Sequence, residues 1–332
     1  MIKNPSTLMS GLLAGLLVTS VGYAGSTAHA ADWPTNNVRM VLPFGAGGSI
    51  DRYARGIAQH WEEQLDGQSV IVDNRPGASG LLGARTFLGA RPDGHTLFVG
   101  LQPTLSMNIV VQGADFELDE FVFVNIEQRD FASITVRADS PYQTIEDLVE
   151  DIRARPGEVI LSMAPGAGTH LFGLAFVDSL DLQPNIVLFD GGGGEQRTDL
   201  LGGHSDAAVS SAYGDMTLGD QVRVLAVSSE DTFSGWPDAA PINQAFPEAN
   251  LPAIGDNRFI AVHRSFVENH PEKFDRIVES YRAVFESEKY QDYTRELGSD
   301  IISGYLGPDA SMDVIRQLHE VVLQFEDVLR GN

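Results

Sequence analysis

From Val38 onward, short apolar runs alternate with longer stretches in which apolar residues recur every three or four positions. Val38-Arg39-Met40-Val41-Leu42 is a mostly apolar run halted by Pro43, the pattern of a buried parallel strand. Ile50, Tyr53, Ala54, Ile57, Ala58, Trp61 and Leu65 then fall on one helical face, with Ser49 as the expected N-cap. The alternation continues through a strand at Ser69 to Val72, a helix around Leu81 to Leu88 and a strand at Thr96 to Val99. A second series starts near Phe131, where Thr144 is positioned to cap a helix that stops at Pro156-Gly157. Strands follow at Val159 to Ser162, Ile186 to Phe189, Ala207 to Val209 and Val222 to Val227. After Gly255 come one more strand, Arg258 to Val262, and two amphipathic helices, about Pro271 to Glu286 and Pro308 to Val328. Strands alternating with helices predict an α/β fold with a mainly parallel sheet. A chain that leaves one such unit, builds a second and then returns has the layout of a hinged, two-lobed binding protein.

Two glycine-rich turns interrupt this pattern at strand-to-helix junctions. The first is Pro43-Phe44-Gly45-Ala46-Gly47-Gly48-Ser49-Ile50-Asp51; the second is Ser162-Met163-Ala164-Pro165-Gly166-Ala167-Gly168-Thr169-His170. Such a junction aims free backbone N–H groups and the positive end of a helix dipole at one point, which suits a carboxylate or phosphate. Two of them, one in each series, predict a ligand gripped from both sides. Asp51 falls in the first helical turn, where it can stabilise the dipole or stand at the cleft rim. His170 can line the cleft or cap its helix.

Composition narrows the setting. Lys3, the apolar stretch Leu8 to Val18 and Ala28-His29-Ala30 form a secretory signal, with cleavage expected after Ala30. The 332-residue chain contains no cysteine, so neither a lipid-anchored cysteine nor a disulfide is possible. These features read as an exported, periplasmic protein. Its formal net charge of -24 becomes -25 once Lys3 is removed. That field repels nucleic acid and anionic membranes, so neither is an expected partner. It also repels anionic ligands at long range, so an anion site has to work through local donors.

The segments Trp33-Pro34, Val41 to Asp51, Val72-Asp73-Asn74-Arg75-Pro76-Gly77-Ala78 and Pro92-Asp93-Gly94-His95-Thr96-Leu97 resemble the Bug family. These are the periplasmic substrate-binding proteins of tripartite tricarboxylate transporters. The resemblance extends in order through Gly166 to Leu171, Thr198 to Gly203, Arg223 to Val227 and Trp236 to Pro241. It implies a periplasmic-binding-protein-like fold, with lobe one at residues 32–128 plus 256–332, lobe two at 129–255, and the ligand cleft between them. It also implies that a small carboxylate ligand is held between backbone N–H groups of Ala46 to Ser49 and of Gly166 to Thr169. Gly45 belongs to the first turn, and Phe44, Ala78, Pro165, Ser210 and Tyr213 shape the rest of the cleft. The expected partner is a membrane transporter, and the protein is expected to act as a monomer without a cofactor. One segment departs from the family: Phe189-Asp190-Gly191-Gly192-Gly193-Gly194 stands where a Pro-Tyr-Lys-Gly type segment is common. Asp190 at the cleft would disfavour a second ligand carboxylate and could receive an ammonium or hydroxyl; otherwise it caps a helix or faces water.

Rival chemistries fit less well. Gly45-x-Gly47-Gly48 lacks the third glycine of a dinucleotide fingerprint, because Ile50 occupies that position. Gly203-His204-Ser205-Asp206-Ala207 misses the last glycine of a hydrolase elbow and precedes a strand instead of following one. The histidines show no metal-binding spacing. No catalytic residue is expected. A sensor reporting to a membrane kinase, or a secreted hydrolase, are the alternatives to transport.

Overall fold

Among the described residues ten strands form, eight of them where the apolar runs predict them, with one long and one two-residue addition. They are β1 (Val38–Leu42), β2 (Val70–Asn74), β3 (Thr96–Gln102), β4 (Phe121–Arg137), β5 (Ile160–Met163), β6 (Asn185–Leu188), β7 (Ala207–Ser211), β8 (Val222–Val227), β9 (Ala240–Pro241) and β10 (Gly255–His263). The computed structural model describes residues 33–65, 67–189 and 193–330. The expected signal segment with its cleavage site, and Asp190, lie outside the described residues.

The sheet runs in the order β2-β1-β3-β10-β4-β7-β5-β6, with β8 paired to β4 and β9 to β8. It is mixed rather than mainly parallel. β1 lies parallel to β2 and β3, and β5 lies parallel to β6 and β7, but β10 runs antiparallel to both β3 and β4. β4 holds the two halves together. Phe121 to Phe131 pair with β10, and Ala132 onward pair with β7 and β8. Helices cover both halves, and each half has its own apolar core. The helix Gly307–Gln324 straddles them: Ile315 packs with Phe98, Phe121 and Phe259, whereas Leu318, Val321 and Val322 pack with Leu161, Phe172 and Ile145.

The 17-residue β4 has no counterpart in the apolar pattern because it buries polar groups. Asn125, Glu127, Gln128, Asp130, Ser133 and Thr135 are all buried along it, so its sequence lacks both alternation and a continuous apolar run. The helices Thr104–Val110 and Glu288–Glu296 are likewise additions to the expected set. Thr144 caps its helix as the sequence predicts, accepting from the Asp147 N–H while the Asp147 carboxylate returns to the Thr144 N–H at 3.0 Å. Ser49 does not cap. Gly48 occupies the cap position and Ser49 is the first helical residue.

Candidate functional site

The first glycine turn links β1 to the helix Ser49–Glu62. Gly47 adopts φ +87°, a conformation that glycine reaches without a Cβ penalty, and no other residue would crowd a side chain there. Asp51, buried beneath the turn, accepts from the Gly47 N–H at 2.9 Å, from Asn74 Nδ2 at 2.9 Å and from Arg55 Nε at 3.0 Å. Burial pushes its carboxyl up, but these donors outweigh that effect and hold it below the usual aspartate value. One of the donors expected to face a ligand is therefore already engaged by the protein's own carboxylate.

The second turn links β5 to the helix Gly168–Ser179 and shows the same motif in a different setting. The Gly168 N–H donates to Asp256 Oδ1 on β10 at 2.9 Å. The junction is tight: a Cβ on Gly168 would lie 2.4 Å from the Gly255 carbonyl oxygen, and one on Gly255 would lie 2.2 Å from the Asp130 carbonyl oxygen. Both glycines are needed for close backbone approach. Desolvation by the surrounding protein raises the carboxyl of the half-buried Asp256, while the Gly168 N–H and Arg258 oppose the rise.

Between the two turns lies a cleft of about 620 Å³, within the range of small-molecule sites. A second cavity of about 190 Å³ adjoins it, and Ser49, Arg52, Tyr213, Arg258 and Leu297 line both. Across the cleft, Tyr213 Oη donates to the Leu297 carbonyl at 3.2 Å. The walls carry buried charge. Asp130 accepts from Ser211 Oγ at 2.9 Å and lies 3.7 Å from Arg258 Nη2. Burial pushes Asp130 up to about 6, with Arg258 opposing and Asp256 adding to the rise. Asp215, fully buried, accepts from Arg197 Nε at 2.8 Å, Ser210 Oγ at 2.8 Å and Thr135 Oγ1 at 2.6 Å. Beneath the second cavity, Glu127 receives the hydroxyls of Tyr281 and Tyr290, and burial raises it to about 7.

Of the residues singled out from sequence, Ser49, Ala167, Thr169, Ser210 and Tyr213 line the main cavity. Gly45, Ala46, Gly47 and Gly48 form an exposed loop outside that lining, as do Pro165 and Gly166. Phe44 is half-buried against the core of the first half. Ala78 is exposed in its own turn, at φ +47°. Asp51 and Gly168 stand behind the lining, each bonded as described. His170 is buried with Nδ1 unpartnered, and burial lowers the pKa of its ring. Absent from the sequence-based expectations are Arg52, Arg197 and Arg258, the buried acids Asp130 and Asp215, and the half-buried Asp256. No local motif marks them, because strands and helices distant in sequence bring them together. Among the described residues no group of three or more His, Cys, Asp or Glu stands ready to hold a metal, and no helix is long and apolar enough to cross a membrane.

A family model described as "Tripartite tricarboxylate transporter family receptor" matches residues 53–250. A UPF0065 protein of Bordetella bronchiseptica is 32% identical over 269 residues, covering 74% of this chain and 75% of its own. Among solved structures, a TctC solute binding protein from Polaromonas superposes with a TM-score of 0.76 at 23% identity, over 90% of this chain and 99% of its own. MatC from Rhodopseudomonas palustris, solved with bound malate, gives a TM-score of 0.68 at 21% identity, over 90% and 100% of the two chains.

Proposed function

The chain belongs to the tripartite tricarboxylate transporter receptor family, and we propose that it captures a small organic acid in the cleft between its two halves and presents it to a membrane transporter. The observation that carries this reading is the cleft itself: about 620 Å³, walled by the start of one glycine-turn helix at Ser49 and of the other at Thr169, with guanidinium groups inside. In this reading the lobes are residues 32–128 plus 256–332 and residues 129–255, moving about β4 and β10. The MatC structure with malate supports a carboxylate as the ligand class. Free N–H groups of the two turns remain the proposed backbone contacts, with Ser49, Thr169, Ser210 and Tyr213 as side-chain contacts.

Capture and release need an open and a closed state whose populations the ligand shifts. The Tyr213–Leu297 hydrogen bond is the contact that closure would make and opening would break. The reading assigns the protein no chemistry and no cofactor. It has the protein exported, cleaved after Ala30 and acting as a monomer in the periplasm, where its family works. Calorimetric titration of the secreted protein with mono- and dicarboxylates tests it. Saturable one-to-one binding without turnover is the expected result, and a blank across the whole carboxylate panel would remove the ligand class.

A further inference from the structure

A third cavity, of about 310 Å³, lies beside β4 and shares no lining residue with the main cleft or the cavity adjoining it. Asp130 lines the main cleft, whereas its neighbours Arg129 and Phe131 line the third cavity. Side chains alternate across a strand, so β4 presents one face to each space. The loop from Ser229 to Ser234 after β8 and Ile301 supply further walls.

Arg129 is the unusual group here. Its guanidinium lies over the Phe131 ring at 5.2 Å, and its Nε is enclosed without a hydrogen-bond partner. Its Nη groups are not enclosed, and among the described residues they too have neither hydrogen bond nor ion pair. Burial lowers the pKa of Arg129 and Glu230 opposes that fall, so the Glu230 carboxylate is near without reaching ion-pair distance. Asp231, exposed on the same rim, forms no ion pair either. In a chain with 46 acids against 22 Lys and Arg, a cation has partners to spare. This one is held apart from the two acids that share its cavity, and the space between them is open.

A simple anion would meet Arg129 but be repelled by Glu230 and Asp231, and a simple cation faces the reverse difficulty. A zwitterion satisfies both, its carboxylate matching the guanidinium and its ammonium the two acids. Phe131 and Phe233, with ring centroids 6.3 Å apart, and Ile301 add apolar surface for a side chain. We propose that this cavity is a second ligand site, taking a free α-amino acid with an apolar side chain. The carboxylate sits on Arg129 and the ammonium between Glu230 and Asp231. A volume of about 310 Å³ falls at the small end of ligand sites, as a ligand of that size requires. The site stands independently of what the main cleft holds.

The test is isothermal titration with L-leucine, with 4-methylpentanoate, which lacks the ammonium, and with isopentylamine, which lacks the carboxylate. The wild type should bind leucine saturably, and Arg129→Gln should weaken it by about tenfold or more. The same variant should change the affinity of either analogue by less than about threefold. Glu230→Gln combined with Asp231→Asn removes exposed charges without a partner to lose, and should weaken leucine about 3- to 10-fold at an unchanged Tm. If Arg129→Gln does not fold, that double variant decides alone. Thr169→Val, in the main cleft, should leave leucine affinity within about threefold of wild type. Leucine affinity unmoved by the cavity variants would overturn the proposal. A loss confined to Thr169→Val would seat the amino acid in the main cleft and overturn it too. Binding of 4-methylpentanoate as tight as leucine, and equally sensitive to Arg129→Gln, would make this a plain anion site. A wild type that binds no leucine would end the proposal and leave the reading of the main cleft untouched.

Discussion

The two glycine turns share a sequence pattern and differ in almost everything the pattern does not specify. The first is exposed, with open space around Gly45 and Gly47, and its N–H is held by an aspartate four residues along the same helix start. The second is wedged against β10, and its N–H is held by an aspartate 88 residues away. The clamping carboxylates differ too: Asp51 sits below the usual aspartate value, and Asp256 above it. A glycine in such a turn can serve backbone conformation or close approach, and only tertiary contact decides which. The first turn is a local structure. The second joins the two halves of the molecule.

The sharpest way to break this comparison is to place the same residue in both turns. Gly168→Val puts a Cβ 2.4 Å from the backbone oxygen of Gly255, which cannot move without shifting β10 away from β4. A loss of about 3 kcal/mol or more in unfolding free energy is expected, as for other overpacked buried sites. Gly48→Val meets nothing nearer than 3.8 Å and should stay within about 1 kcal/mol of wild type. Urea denaturation of the two variants gives the answer, and equal losses would erase the distinction.

The acids behind the second turn make a pH prediction. Asp130, raised to about 6, binds its proton more tightly in the folded state than in the unfolded chain. Stability therefore falls as pH rises from about 4 to 6, by about 2–3 kcal/mol for this group, and is flat in Asp130 above that. Glu127, raised to about 7, pulls in the same direction over a window reaching to pH 7. Asp130→Asn should remove the part between pH 4 and 6 while retaining the rest. A variant whose melting temperature follows pH as steeply as the wild type would show that Asp130 titrates normally.

How legible this was from the chain depends on what each element buries. β1 appears at its predicted residues, because its alternation with helices is carried by apolar side chains. β4 was hidden because Asn125, Glu127 and Asp130 are buried against polar protein partners instead of facing solvent, which inverts the usual link between polarity and exposure. The cleft behaves the same way. Ser49 and Thr169 could be found from their turns, since helix starts advertise their donors locally. Arg258 and Arg197 could not, because what makes them notable is the aspartate each meets in space, Asp130 for the first and Asp215 for the second, at unrelated sequence separations.

The two clamps can next be opened singly. Asp51→Asn replaces a carboxylate bonded to Gly47, Arg55 and Asn74 and should cost about 1–2 kcal/mol at pH 7. Because Asp51 is held low, its contribution is present above the unfolded-state value and is lost as pH falls through the folded one. Asp256→Asn keeps an oxygen for the Gly168 N–H and removes a desolvated carboxylate held above its ordinary value, so neutral-pH stability should be unchanged or higher. Opposite signs at pH 7 are the expected outcome in thermal denaturation. The same sign would mean that the two carboxylates do one job.

The smallest effects lie inside the first turn, where neighbouring glycines should respond differently. Gly47→Ala forces a side chain into φ +87° and should cost about 1 kcal/mol through backbone strain alone, because space is open around it. Gly48 has φ -71° and ψ 172°, extended values open to any residue. Gly48→Ala should therefore change stability by less than about 0.5 kcal/mol. If a bound acid uses the Gly48 N–H, the methyl group also leaves that donor in place, so affinity should change less than about threefold. A large affinity loss without a stability loss would mean that a ligand atom packs directly against the Gly48 Cα, and would move the first turn from local scaffold to contact surface.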